Sequence, residues 1–268
     1  MKDQITCSDA EFGQEWLAWR TGWEQFLTQP HGWLSVVSIN WADTTPTRYP
    51  GQPGLWWQEG DELCVDPEGQ AMSYAGESFT SVRRLDLSRT LDDVRITAGD
   101  FEIGVTYRGQ YLLANHDPQA PARTCFHGVP AYEPDLRWVL TGRFVPHAEP
   151  VSVTFASVGT DAHVYGSPGV VTFSHAGGEH SLVLTSTPQG GMAAVFADAT
   201  SGVTTYGACR TLMVPEPGED GTVVLDFNRA LNLPCAFNAM PVCPAAPPQN
   251  RLPFAVEAGE KIPHGPSN

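Results

Sequence analysis

FEIGVTYRGQYLL, residues 101–113, decides how the rest of the chain is read. Phe101, Ile103, Val105 and Tyr107 fall on every second position, with Glu102, Gly104 and Thr106 between them. A period of two puts the apolar side chains on one face of a half-buried strand. Arg108-Gly109-Gln110 then supplies turn chemistry, and Tyr111-Leu112-Leu113 returns as a second strand. The stretch is a β-hairpin with one face towards a core.

The same grammar recurs on both sides. Leu55-Trp56-Trp57 and Leu63-Cys64-Val65 flank Gln58-Glu59-Gly60-Asp61 as another hairpin. His31 to Ile39 reads as a buried strand. Further on, Trp138 to Phe144, Val151 to Phe155, Met192 to Phe196, Tyr206 to Val214 and Thr222 to Phe227 read as strands. Val171 and Phe173 are expected to pair with Leu182 and Leu184 across Ala176-Gly177-Gly178-Glu179. Short strands at regular spacing, with 26 glycines and 23 prolines in the chain, indicate a sandwich or barrel.

One segment has a different period. Phe12, Trp16, Trp19, Trp23 and Phe26 follow at steps of four and three, which lines one side of a helix. Ser8 and Glu11 have the spacing of a capping box, and Gln29-Pro30 ends the helix. The stripe is expected to pack on a sheet. The expected fold is therefore all-β, sandwich- or barrel-like and mostly antiparallel, behind an N-terminal amphipathic helix. The expected divisions are a helix over 8–29, a first β module over 30–118, a second over 125–262 and a tail over 263–268. The proline-bearing run from His116 to Pro130 is the connection between the modules.

The 268 residues carry a formal charge of −15, which repels nucleic acid and anionic membrane surfaces, so neither is expected as a partner. The start has no basic region followed by an apolar one, and no apolar run is long enough to span a bilayer. A cytoplasmic location is expected, with the six cysteines as thiols. They are scattered with no C-x-x-C pair, and no metal site is expected. H-E-x-x-H, G-x-S-x-G, a Walker loop and a Rossmann fingerprint are all absent. Common zinc proteases, α/β-hydrolases and P-loop NTPases are thereby disfavoured.

Three pieces of the chain carry a resemblance. They are His31-Gly-Trp-Leu-Ser-Val-Val, then Phe196-Ala-Asp-Ala-Thr-Ser-Gly running on to Tyr206-Gly-Ala-Cys-Arg, then Leu225 to Lys261. Together they resemble an uncharacterised bacterial and archaeal family, domain of unknown function 1684. The resemblance extends from about residue 10 to residue 261. It implies an N-terminal helix and a β-rich architecture, and it implies no activity. This chain departs from the family pattern at Leu233, before Pro234, and at Ala245-Ala246, after Cys243-Pro244.

Strand alternation then selects residues that could do chemistry. Val223, Leu225 and Phe227 form an apolar face, leaving Asp226 and Asn228 on the other. Read as a strand, Arg251 to Glu257 puts Leu252, Phe254 and Val256 inward and Arg251 and Glu257 outward. Tyr206 and Arg210 share a face in the same way. Side by side, these faces would form a cluster able to hold a carboxylate or phosphate through arginine. The candidate ligand-binding residues are Tyr206, Arg210, Asn228, Asn250 and Arg251. The candidate catalytic residues are Asp226 and Glu257 as general bases, Cys235 as a nucleophile and His31. Each has a structural alternative: a network fixing strand register, a small buried cysteine beside Phe237, a satisfied histidine at the head of a strand.

Three functions stay open. The first is an enzyme or binding protein for a small polar anionic molecule held by the Arg/Asp/Asn/Glu cluster. The second is a non-catalytic β module for protein–protein interaction. The third is a flavin-binding β-barrel. Beyond that alternative no cofactor is named by the residues.

Overall fold

The computed structural model describes residues 8–90, 94–107, 109–155, 163–187, 190–237 and 245–263. The chain is built of antiparallel β-sheets behind one long N-terminal helix. It forms two compact units. One is Gln25–His127; the other is the chain up to Glu24 together with the chain from Gly128 onward.

Helix α1 (Asp9–Leu27) starts at the expected capping box. Glu11 Oε2 accepts from the Ser8 backbone N–H and hydroxyl, both at 2.9 Å, and Glu11 N–H donates to Ser8 Oγ at 3.3 Å. Two of the helix's orphan donors are thus satisfied. Phe12 is buried, and Trp16, Trp19 and Trp23 are half-buried. Arg20 is buried among them.

In the unit Gln25–His127 the strands are β1 (Val36–Trp41), β2 (Leu55–Glu59), β3 (Glu62–Asp66), β4 (Met72–Tyr74), β5 (Glu77–Phe79), β6 (Arg83–Asp86), β7 (Val94–Ala98), β8 (Phe101–Tyr107) and β9 (Tyr111–His116). A six-stranded sheet has the order β1-β9-β8-β7-β4-β5, and a three-stranded sheet has the order β2-β3-β6. The opening hairpin is β8–β9, with Tyr107 opposite Tyr111. Ile103 and Val105 join Trp56, Leu63, Val65, Ile96, Tyr111 and Leu113 in one core. The stretch expected as one strand from His31 begins otherwise. His31 lies in a turn and Trp33–Ser35 in a 3-10 turn, so the strand starts at Val36. Ser35 N–H donates to Gly32 O at 3.1 Å, which closes the turn before extension can begin. A short helix α2 (Pro121–Thr124) follows β9.

In the other unit the strands are β10 (Val139–Phe155), β11 (His163–His175), β12 (Gly178–Val183), β13 (Thr185–Ser186), β14 (Met192–Phe196), β15 (Arg210–Val214), β16 (Thr222–Asp226) and β17 (Leu231–Asn232). Two four-stranded sheets result, β12-β11-β10-β16 and β13-β14-β15-β17. Phe173, Leu182, Met192, Phe196, Leu212, Val223, Leu225 and Phe227 form their shared core. β14 is buried along its whole length, because Val195 and Ala197 pack with Phe155 and Cys209 in a second cluster.

Several expectations are corrected here. The two strands expected over 138–155 are one, β10, whose register against β11 shifts between Pro146 and Val151. A proline cannot donate to a ladder, and a bulge absorbs the irregularity. Val171 does face Leu182, but Phe173 faces His180. The strand expected from Tyr206 begins only at Arg210, because the backbone before it winds into a turn in which Thr200 O accepts from residues 203, 204 and 205. Arg251 to Glu257 is not a strand. It touches a sheet through a single parallel bridge, Arg251 to Ala197. Leu252 and Val256 are nevertheless buried.

Candidate functional site

The expected polar cluster does not assemble. Arg210 is fully buried and its guanidinium is committed: it donates to Asp198 Oδ2 at 2.9 Å, to Val256 O at 3.0 Å, and to Ala258 O. Asp198 Oδ1 also accepts from Val256 N–H at 3.0 Å. The segment after Val256 runs outside any strand, so its carbonyls need side-chain donors, and Arg210 supplies them. Burial pulls the Arg210 pKa below the usual guanidinium range, against the opposing pull of Asp198. Arg210 fastens the C-terminal segment; both of its terminal amino groups are spent, and only the buried Nε–H has no hydrogen-bond partner among the described residues.

The other candidates divide in the same way. Asn250 is fully buried; its amide donates to Val183 O and Val195 O and accepts from Val183 N–H. Asn228 is buried, accepts from Asp135 N–H and donates to Asp135 O and Asp226 Oδ1. Tyr206 donates to Cys235 O at 3.1 Å. Arg251 and Glu257 are both exposed. His31 belongs to the other unit, where its Nε2–H donates to Asp100 O at 3.1 Å and Nδ1 lies 3.6 Å from Glu102 Oε2. Cys235 is disulfide-bonded, so it presents no thiolate. The expectation of six thiols rested on an inferred compartment and is corrected at this residue. Cys243 lies outside the described residues.

Asp226 stands elsewhere. It ends β16 and caps the 3-10 turn Phe227–Arg229, its Oδ1 accepting from Asn228 N–H at 3.1 Å. One turn on, Arg229 folds back, and its Nε lies 3.1 Å from Asp226 Oδ2. This is an ion pair whose N–H is not aligned for a hydrogen bond. The guanidinium carbon sits 5.4 Å from the centre of the Trp19 ring, within cation–π range. Among the described residues the two terminal amino groups of Arg229 have no partner.

Around this pair lies a cleft of about 570 Å³, lined by Trp19, Met213, Val214, Pro215, Val224, Asp226, Arg229 and Leu231. Six of its eight walls are apolar or aromatic, and Arg229 is the single cation. The volume lies in the range of small-molecule sites. Met213 and Val224 are 53% and 49% exposed, although each sits mid-strand on β15 or β16. Alternation explains them: Leu212, Val214, Val223 and Leu225 face the core, which turns Met213 and Val224 outward. The signal was present in the sequence as two large apolar residues on outward strand faces. Their meeting with Arg229 and Trp19 was not.

Among the described residues no three His, Cys, Asp or Glu side chains converge as a metal site, and no helix is long and apolar enough to cross a membrane.

A family model described as a protein of unknown function, DUF1684, matches residues 124–261. The solution NMR structure of an uncharacterized protein from Haloarcula marismortui is similar at 26% identity, with a TM-score of 0.44, over 52% of this chain and 78% of that one. No curated protein matches significantly.

Proposed function

This chain belongs to the family of proteins of unknown function DUF1684, and on that footing we propose that it binds a small organic anion with an apolar body in the cleft of Trp19 and Arg229. One observation carries the reading: a guanidinium with both terminal amino groups uncommitted stands beside Asp226 in a cleft of about 570 Å³ whose six other walls are apolar or aromatic. An arginine whose terminal amino groups stay open beside its one carboxylate partner can receive a second anion there. Trp19 covers one face of the guanidinium, and the Asp226 carboxylate lies 3.1 Å from Nε as an ion partner, so the group is placed before a ligand arrives. Pre-ordering of this kind lowers the entropy lost on binding. Asp226 is thus a positioning group, and the anion site is at Arg229 in place of Arg210 and Arg251.

A thermal-shift screen of the full chain against organic anions tests the reading. A ligand at about 100 times its dissociation constant adds roughly 2.7 kcal/mol of stability. The expected result is stabilisation by anions with an apolar portion, lost in Arg229→Ala. A panel of such anions without effect on either protein would refute it.

The exposure of Met213 and Val224 favours a second reading, in which the same wall receives an apolar side chain of a protein partner. That reading expects Met213→Ser and Val224→Ser to leave anion affinity unchanged while raising solubility. The first reading expects both to weaken the anion.

A further inference from the structure

The committed edges of Arg229 narrow the ligand class. We infer that the cleft selects monocarboxylates with a hydrocarbon tail and discriminates against phosphate and sulfate esters; this rests on the cleft being an anion site.

A guanidinium presents two edges to a planar anion, one through Nε and one terminal amino group, the other through both terminal amino groups. The Asp226 carboxylate, 3.1 Å from Nε, stands against the first as an ion partner and repels a second anion from it. The Trp19 ring covers one face at 5.4 Å. What remains is the end-on edge, a two-pronged donor whose spacing matches the two oxygens of a carboxylate. A tetrahedral phosphate uses such an edge too, but it carries further oxygens that need donors of their own. Beyond Arg229 the lining side chains offer one further donor, the Trp19 indole N–H; the rest are Asp226 and aliphatic or thioether side chains. Phosphate sites usually add a helix N-terminus or a nest of backbone N–H groups.

Charge sharpens the choice. Arg229 and Asp226 together are neutral, so an incoming anion meets one positive and one negative charge in the same cleft. A dianion doubles both the attraction to Arg229 and the repulsion from Asp226, so the pair alone does not choose between dianion and monoanion. The formal charge of −15 on the chain does choose, because it repels a dianion more than a monoanion. A single carboxylate therefore gains the bidentate contact with the least repulsion. The tail lies against Met213, Val214, Pro215, Val224 and Leu231. Each methylene buried there should tighten binding about fourfold.

Isothermal titration of the full chain at pH 8 tests this with four ligands below their micellar concentrations: hexanoate, octanoate, octyl phosphate and 1-octanol. Octanoate should bind tightest, more than tenfold tighter than hexanoate, octyl phosphate and 1-octanol. Arg229→Ala should reduce octanoate to the level of 1-octanol, and Arg229→Lys should lie between. Asp226→Asn keeps a capping side chain and removes the charge; it should tighten octyl phosphate and narrow the gap to octanoate. Octyl phosphate binding as tightly as octanoate to the wild type, or octanoate binding no tighter than 1-octanol, overturns the carboxylate inference and leaves an apolar cleft. No binding of any of the four overturns both readings.

Discussion

Arg20 Nη1 donates to Glu260 Oε1 over 2.6 Å, and the two residues stand 240 positions apart in the chain. Both are buried. Trp23 Nε1–H reaches the same oxygen at 2.9 Å, and Asn232 N–H reaches the other carboxylate oxygen at 2.6 Å. The helix stripe is thus an apolar frame around an ionic anchor for the C-terminal segment. Desolvation pushes the Glu260 carboxyl above the usual range, opposed by Arg20 and the two N–H donors.

Removing Arg20 leaves that carboxylate buried with less compensation. Arg20→Met should cost about 3–5 kcal/mol near neutral pH. It should also raise the Glu260 pKa further. The native state then holds a proton that the unfolded state, titrating near about 4.3, has released. Stability of the variant therefore rises as pH falls through the raised native value, relative to wild type. Urea melts at pH 8 and pH 5.5 check this: the gap between Arg20→Met and wild type should shrink at the lower pH.

Gly259 has φ +74°, and a Cβ there would meet Ala230 O at 2.6 Å and Phe227 O at 2.9 Å. Both are backbone atoms of the segment that Glu260 N–H pairs with through Ala230 O. Gly259→Ala should lose about 2–4 kcal/mol, from the left-handed backbone and the clash together. Chemical denaturation should place it well below a Gly76→Ala control, where φ is +82° and the added Cβ meets nothing.

Asn250 and Arg251 are neighbours with opposite expected costs. Asn250→Ala strands Val183 N–H, Val183 O and Val195 O in the interior, and should cost about 2–4 kcal/mol. Arg251→Ala removes an exposed side chain and should stay within about 0.5 kcal/mol. Thermal unfolding of the two variants side by side measures the difference.

Three cysteines give a labelling test without mutation. Cys125 is exposed, whereas Cys64 and Cys209 are buried thiols. Burial pushes the Cys209 thiol up to about 12. Almost none of it is thiolate at pH 8, and the thiolate is the reactive form. Brief iodoacetamide treatment at pH 8 followed by peptide mapping should modify Cys125 and spare Cys64 and Cys209. Modification of Cys209 in the native protein would contradict its burial.

The fold was legible wherever the signal was local. The alternation of Phe101 to Tyr107 and the hairpin of Leu55 to Val65 follow from which side chains share a face over a few residues. The capping box and the helix stripe are equally short-ranged. The site was less legible, because residue type does not say whether a polar group is spent. Arg210 and Arg251 look alike in the sequence; one is wholly buried among carbonyls and the other is exposed. Arg229 carries no mark in the sequence that sets it apart, and it is the arginine with uncommitted terminal amino groups.

By itself the sequence determined the helix, the hairpins and the β class, since each depends on the period of apolar side chains along a short stretch. Tertiary structure alone decided that Arg20 meets Glu260, that Arg210 is consumed by the C-terminal segment, and that Trp19 and Arg229 meet across a cleft. Those pairings join positions 12 to 240 residues apart. Strand order and helix docking set them, and neither leaves a periodic trace in the chain. A buried charge must be satisfied by whatever group the fold brings near, so the use of each polar residue is known only when its neighbours are.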